Sequence, residues 1–197
     1  MPAKLSIETL KKNGLSYADY MEDFKKVIET TDSAQLPGEE KELYGYKKMN
    51  LQRSSRIDKT YAPSAEINNL MVKINEPQFW IVITEQWCGD SAQNLPYIAK
   101  IASLNPLVQF KIIYRDENAE IMDLYLTNGT KSIPILVALD NEGVELFHWG
   151  PRPKEAADLV KNAKAEGLEH DAFIEKLHLW YGKNRGAALE KEIIELL

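Results

Sequence analysis

One thiol stands in a chain of 197 residues: Cys88 is the only cysteine. It lies in Phe79 to Ser91, FWIVITEQWCGDS, where an apolar run rich in Ile and Val gives way to Trp87, the cysteine and a helical pattern. A cysteine between a strand end and a helix start meets unpaired backbone N–H groups and the positive end of the helix dipole. Both favour an anion. The thiolate is the nucleophile, so this placement predicts a pKa below the free value of about 8.5. Ser91, one turn on, is placed to donate its hydroxyl to the sulfur. Asp90 opposes this, since a carboxylate two residues away disfavours a second negative charge. The balance predicts a reactive thiolate. With serine at 91 and no other thiol in the chain, a disulfide made by Cys88 has no internal thiol to release it.

Other residues offer weaker chemistry. Glu85 and Asp90 are candidate proton-transfer carboxylates beside Cys88, although loop acids are more often solvated. His148, His170 and His178 show no metal-ligand spacing, and none adjoins the cysteine in sequence. The tyrosines of the first part of the chain, Tyr17, Tyr20, Tyr44, Tyr46 and Tyr61, are candidates for a partner groove, but helix packing explains them more cheaply. Gly182 to Gly186 lacks a preceding strand and reads as a linker rather than a phosphate loop.

Charge bounds the partners. The net charge of −6 is spread without a block of one sign, which argues against nucleic acid, because phosphate binding needs a concentrated basic face. A single cysteine excludes a disulfide framework and a multi-cysteine metal site. The N-terminal MPAKLSIETLKKNG has no apolar core of signal-peptide length, and no stretch approaches ~18 consecutive apolar residues. A cytoplasmic chain with no membrane partner is the expectation.

The elements that must hold the thiol follow from hydrophobic period and breakers. Residues 1–76 read as a helical extension. Ser16 with Asp19 marks a helix start, a second helix begins near Glu39, and Pro63-Ser64 precedes a third that Glu76-Pro77 ends. Phe79 to Thr84 is a central strand, Gly89 to Ala102 a helix, Val108 to Tyr114 a second strand, and Asn118 to Leu126 a short helix. Ile135 to Leu139 and Val144 to Trp149 form a hairpin across Asp140-Asn141-Glu142-Gly143. Pro153 opens a helix ending near Gly167, and residues 167–197 form a C-terminal helical extension of two segments.

Trp87-Cys88-Gly89-Asp90-Ser91 resembles the thioredoxin active site, Trp-Cys-Gly-Pro-Cys. Pro96 stands where thioredoxins place a helix proline, Ile133-Pro134 where they place a cis-proline, and Gly150 where a glycine follows the last strand. The resemblance, to the helix-extended bacterial thioredoxin-like proteins, implies an α/β fold over 77–166. That fold has a mixed sheet of about four strands flanked by helices. It implies that Cys88, Ser91, Trp87 and Asp90 form the catalytic motif. Ile133, Pro134 and Gly89 would contact substrate, with the backbone of Ile133 pairing to an extended peptide. Three positions depart from the pattern: Ser91 replaces the second cysteine, Asp90 the proline, and Val82 a buried acid that serves that second thiol.

Monothiol thiol–disulfide exchange is the first functional expectation. Cys88 forms a mixed disulfide with a thiol- or disulfide-containing protein or small thiol, and an external low-molecular-weight thiol releases it. No resident cofactor or metal is expected, and the chain is expected to be a monomer or weak dimer. The alternative is a redox-weak binding module that uses the Trp87–Pro134 face. A shared iron–sulfur cluster, suggested by Cys-Gly-Asp-Ser, ranks lower because a glycine pair that would hold glutathione is absent.

Overall fold

A computed structural model describes residues 6–197. Four helices come first: α1 (Ile7–Asn13), α2 (Tyr17–Thr30), α3 (Gly38–Thr60) and α4 (Ala65–Met71). There follow β1 (Gln78–Thr84), α5 (Gly89–Ala102), β2 (Val108–Tyr114), α6 (Ala119–Met122), β3 (Ile135–Leu139) and β4 (Glu145–Trp149). The described chain closes with α7 (Lys154–Ala165), α8 (His170–Asn184) and α9 (Ala187–Leu196).

The sheet runs β2-β1-β3-β4, with β1 parallel to β2 and antiparallel to β3, and β3 antiparallel to β4. A parallel pair needs a crossover, which α5 supplies; the antiparallel pair needs only the Asp140–Gly143 turn. From Phe79 onward β1 is buried at every residue, because both faces of the sheet are covered. Trp80 and Val82 point into a core shared with Leu95, Ile98 and Phe24, whereas Phe79, Ile81 and Ile83 join Ile135, Val137 and Met122 on the opposite face. This is the expected mixed α/β sheet with added helices.

Local chemistry starts the added helices. Ser16 and Asp19 form a reciprocal capping box on α2, and Ser64 caps α4 through the N–H of Ile67. Just ahead of α2, Leu15 exchanges backbone hydrogen bonds with Ile112 (2.8 and 2.9 Å), which covers the free edge of β2. Of the early tyrosines, Tyr20 is buried, Tyr17 donates to Asp58 and Tyr44 to the Ile28 carbonyl, whereas Tyr61 lines a cleft.

Three expectations are corrected. The helix read over Asn118 to Leu126 is only Ala119–Met122, because Leu124 and Tyr125 bond three residues back in turns and Asn118 turns its amide to the Tyr114 carbonyl. Residues 182–184 belong to α8, so Arg185 (φ 53°) and Gly186 (φ 87°) alone make the reversal into α9. Glycine is required there: a Cβ on Gly186 would lie 2.6 Å from the Tyr97 ring. β4 begins at Glu145, since Val144 closes the turn with Asp140.

Candidate functional site

Cys88 is the N-cap of α5, in extended conformation (φ −75°, ψ 118°). Its Sγ accepts the N–H of Ser91 at 3.5 Å and donates to the carbonyl of Ile133 at 3.3 Å. The sulfur therefore caps a helix, as expected, but the donor is the Ser91 amide rather than its hydroxyl. Ser91 Oγ is buried and has no hydrogen-bond partner among the described residues. Two hydrogen bonds brace the segment before the helix. The Cys88 N–H bonds the Glu85 carbonyl (3.1 Å), and from α3 Asn50 reaches the Gln86 carbonyl (3.1 Å).

The Ile133–Pro134 bond is cis and buried beside the sulfur. Gly150 explains how the chain gets so close there. It has φ 130°, and a Cβ on it would lie 2.2 Å from the Pro134 carbonyl oxygen, so only glycine fits. Gly150–Pro151 is also cis. Trp87 is half-buried, with the Arg115 guanidinium 4.9 Å from its ring centroid, and Arg115 also donates to the Lys131 carbonyl at 3.2 Å. The site thus joins the α5 N-terminus to the turns at 131–134 and 150–152.

Asp90 is buried, contrary to its reading as a loop acid. Arg152, just past the Gly150–Pro151 turn, pairs with it; Nε lies 3.1 Å from Oδ2 and a terminal guanidinium nitrogen donates to the same oxygen. Tyr181 from α8 donates to Oδ1 at 2.6 Å, and Asn94 bonds the Asp90 carbonyl at 2.8 Å. His178, one turn before Tyr181, packs over Gly89: a Cβ there would lie 3.1 Å from its ring. Burial, with Arg53 nearby, pushes His178 down to about 4, so its ring is neutral near pH 7. Arg152, Tyr181 and His178 carried no local signal in the sequence. Only the spacing of 178 and 181, one helical turn, places the latter two on one face of α8.

The electrostatics overturn the predicted thiolate. Burial pushes the Cys88 thiol up to about 11, Asp90 adds to the rise, and the Ser91 N–H on the sulfur only partly opposes it. Cys88 is 8% exposed. Desolvation disfavours the charged form more strongly than one helix terminus favours it. The resting sulfur is a protonated thiol whose hydrogen is given to Ile133.

Glu85 is half-buried and accepts the Asp116 N–H (3.0 Å); burial raises its pKa. Gln86 and the Tyr114 hydroxyl both donate to Asp23 (3.0 and 2.9 Å), which anchors the loop to α2. Val82 is fully buried in the core. His148 pairs with Glu145 on β4 (2.7 Å), and His170 pairs with Asp171. Among the described residues no three His, Cys, Asp or Glu side chains gather as a metal site, and no helix is long and apolar enough to cross a membrane.

A helix-capping thiol, a cis-proline opposite it and a glycine that lets the two turns meet are the parts of one known arrangement. The sequence matches the family described as Thioredoxin over residues 37–164, a span that takes in α3 and α4 as well as the sheet. No curated protein matches. Among solved structures, the chain is similar to an HIV epitope-scaffold, with a TM-score of 0.62 at 17% identity over 98% of this chain and 97% of that one. A Pseudomonas aeruginosa protein of unknown function is similar at 20% identity, with a TM-score of 0.47 over 88% of this chain and 99% of that one. Match, sheet order and site geometry agree: the chain belongs to the thioredoxin family.

Proposed function

We propose that this protein carries out monothiol thiol–disulfide exchange through Cys88. The observation that carries the reading is the position of Sγ, capping α5 and 3.3 Å from the carbonyl of Ile133. A disulfide that enters beside Ile133 as an extended strand meets the sulfur at the one place where backbone groups border it. Cys88 gives up its proton, and its sulfur bonds one sulfur of the incoming disulfide. The other sulfur leaves as a thiolate and is protonated. A second, external thiol then attacks the mixed disulfide and restores Cys88. Ser91 takes no part as a nucleophile. Trp87 and Gly89 shape the approach, and Asp90 stays locked by Arg152 and Tyr181.

The test is turnover of a small disulfide with an added low-molecular-weight thiol as reductant, measured for the wild type and Cys88→Ser. Turnover that needs both the external thiol and Cys88 is expected. Equal rates for the two proteins would end the reading.

The buried, protonated thiol favours a second reading, a redox-weak binding module that uses the Trp87–Pro134 face. It predicts that Cys88→Ser binds the same partners unchanged, while substitution of Trp87 abolishes binding.

A further inference from the structure

α3, α5, α8 and α9 line an open cleft of 1130 Å³, roomy enough for a small organic ligand. Gln93 and Tyr97, one helical turn apart on α5, line its floor. Arg56 lines it from α3 and Arg185 from the turn after α8. Both arginines are exposed, and among the described residues neither is ion-paired. Arg53, one turn before Arg56 on α3, does not line the cleft; it is half-buried and bonds Asn50 at 2.9 Å. Arg56 and Arg185 both hold the Tyr97 hydroxyl below the level to which burial alone would raise it, so their fields meet at that ring.

The cleft is lined by three acids, Glu66, Glu190 and Glu195, and three bases, Arg56, Arg185 and Lys191. Glu190 on α9 is occupied by Tyr61 and the Ser64 N–H, while Glu66 and Glu195 lie exposed on α4 and α9. Arg56 and Arg185 are thus left without a carboxylate partner among the described residues, on a chain of net charge −6. Guanidinium groups match the oxygens of phosphate and carboxylate with two parallel donors each.

We propose that the cleft binds a small organic anion, with Arg56 and Arg185 gripping a doubly charged end such as a phosphate ester, and the Tyr97 hydroxyl donating to it. The apolar walls at Ile57 and Ile194 leave room for the ligand's organic body. This site does not depend on sulfur chemistry, because Cys88 does not line it.

Inorganic pyrophosphate is the probe, titrated calorimetrically at low salt into the full chain. Saturable one-to-one binding is expected for the wild type and for Cys88→Ser. The double variant Arg56→Gln/Arg185→Gln is expected to bind at least about tenfold more weakly. Lys replacements at both positions, which keep charge but lose the fork, should recover part of that loss. Lys11→Gln/Lys12→Gln, which removes as much charge from α1, should bind as the wild type does. Thermal unfolding of each variant separates lost binding from lost fold, and both arginines are exposed enough that unfolding should be unchanged. No saturable binding by the wild type, or equal losses in the arginine and lysine pairs, would overturn the site.

Discussion

Arg152 Nε lies 3.1 Å from Asp90 Oδ2, so the residue two places past the thiol is an ion-paired, buried carboxylate anchored to the turn that follows β4. This contact fastens the α5 N-terminus to the far side of the cis-proline turn, and Tyr181 extends it to α8. The family's proline position has become a tie between three elements.

Removing one partner of a buried ion pair leaves the other charge without compensation. Arg152→Gln should destabilise by about 2–3 kcal/mol in urea unfolding, less than for a fully buried pair because Tyr181 still donates to Asp90. It should also push the Cys88 thiol further up, since Asp90 then acts on the sulfur unneutralised. A pH profile of Cys88 alkylation reads this second effect. Arg152→Lys should restore stability in part.

Cys88 makes stability fall at alkaline pH. Its folded pKa is raised to about 11, so the native state holds the proton more tightly than the unfolded state does. The resulting stability is complete below about 8.5 and is lost as pH rises towards the folded value; the shift corresponds to about 3 kcal/mol. Urea midpoints measured across that range should decline in the wild type and decline less in Cys88→Ser. Parallel curves would contradict the burial of the thiol.

Gly150 is irreplaceable for two reasons, its φ of 130° and the 2.2 Å approach of a Cβ to the Pro134 oxygen. Gly150→Ala should cost about 3 kcal/mol or more, since backbone strain and a backbone clash combine. Alanine at Gly129, where a Cβ meets nothing within 4 Å and only φ (77°) is strained, should cost less. Thermal unfolding of the two variants ranks them.

Ser91 occupies the position from which a second thiol would reach Sγ, with its amide already 3.5 Å from the sulfur. Ser91→Cys should therefore close an internal disulfide on oxidation, leaving an intact mass short by two hydrogens. A mixed disulfide on Cys88 of that variant should resolve without added thiol. Persistence of the adduct would show that the two side chains do not converge.

Much of this was legible in the sequence. β1, α5, β2 and β3 fall where apolar period puts them, and Pro77, the Trp87–Gly89 junction and Pro134 mark the starts of β1, α5 and β3. The meeting of Cys88 with Ile133 and Pro134 followed from the family resemblance. What escaped were interactions between residues far apart in the chain. Nothing near Asp90 announces Arg152 or Tyr181, and nothing near Gly89 announces His178, since these come from elements 62 to 91 positions away. The sign of the thiol pKa failed for the same reason. A helix N-terminus is visible locally, whereas the burial that outweighs it comes from a cluster drawn from several distant elements, Ile113, Met122 and Ile133 among them.

One buried, protonated sulfur exchanges with a disulfide and has no internal partner to release it. Intact mass after incubation with glutathione disulfide, followed from pH 7 towards pH 10 on the folded protein, tests it most directly. A single adduct on Cys88 is expected, forming faster as pH rises and surviving removal of the reagent. Only an added thiol should discharge it. A folded protein that takes no adduct even at the alkaline end, or one that sheds it unaided, would rule out monothiol exchange at Cys88.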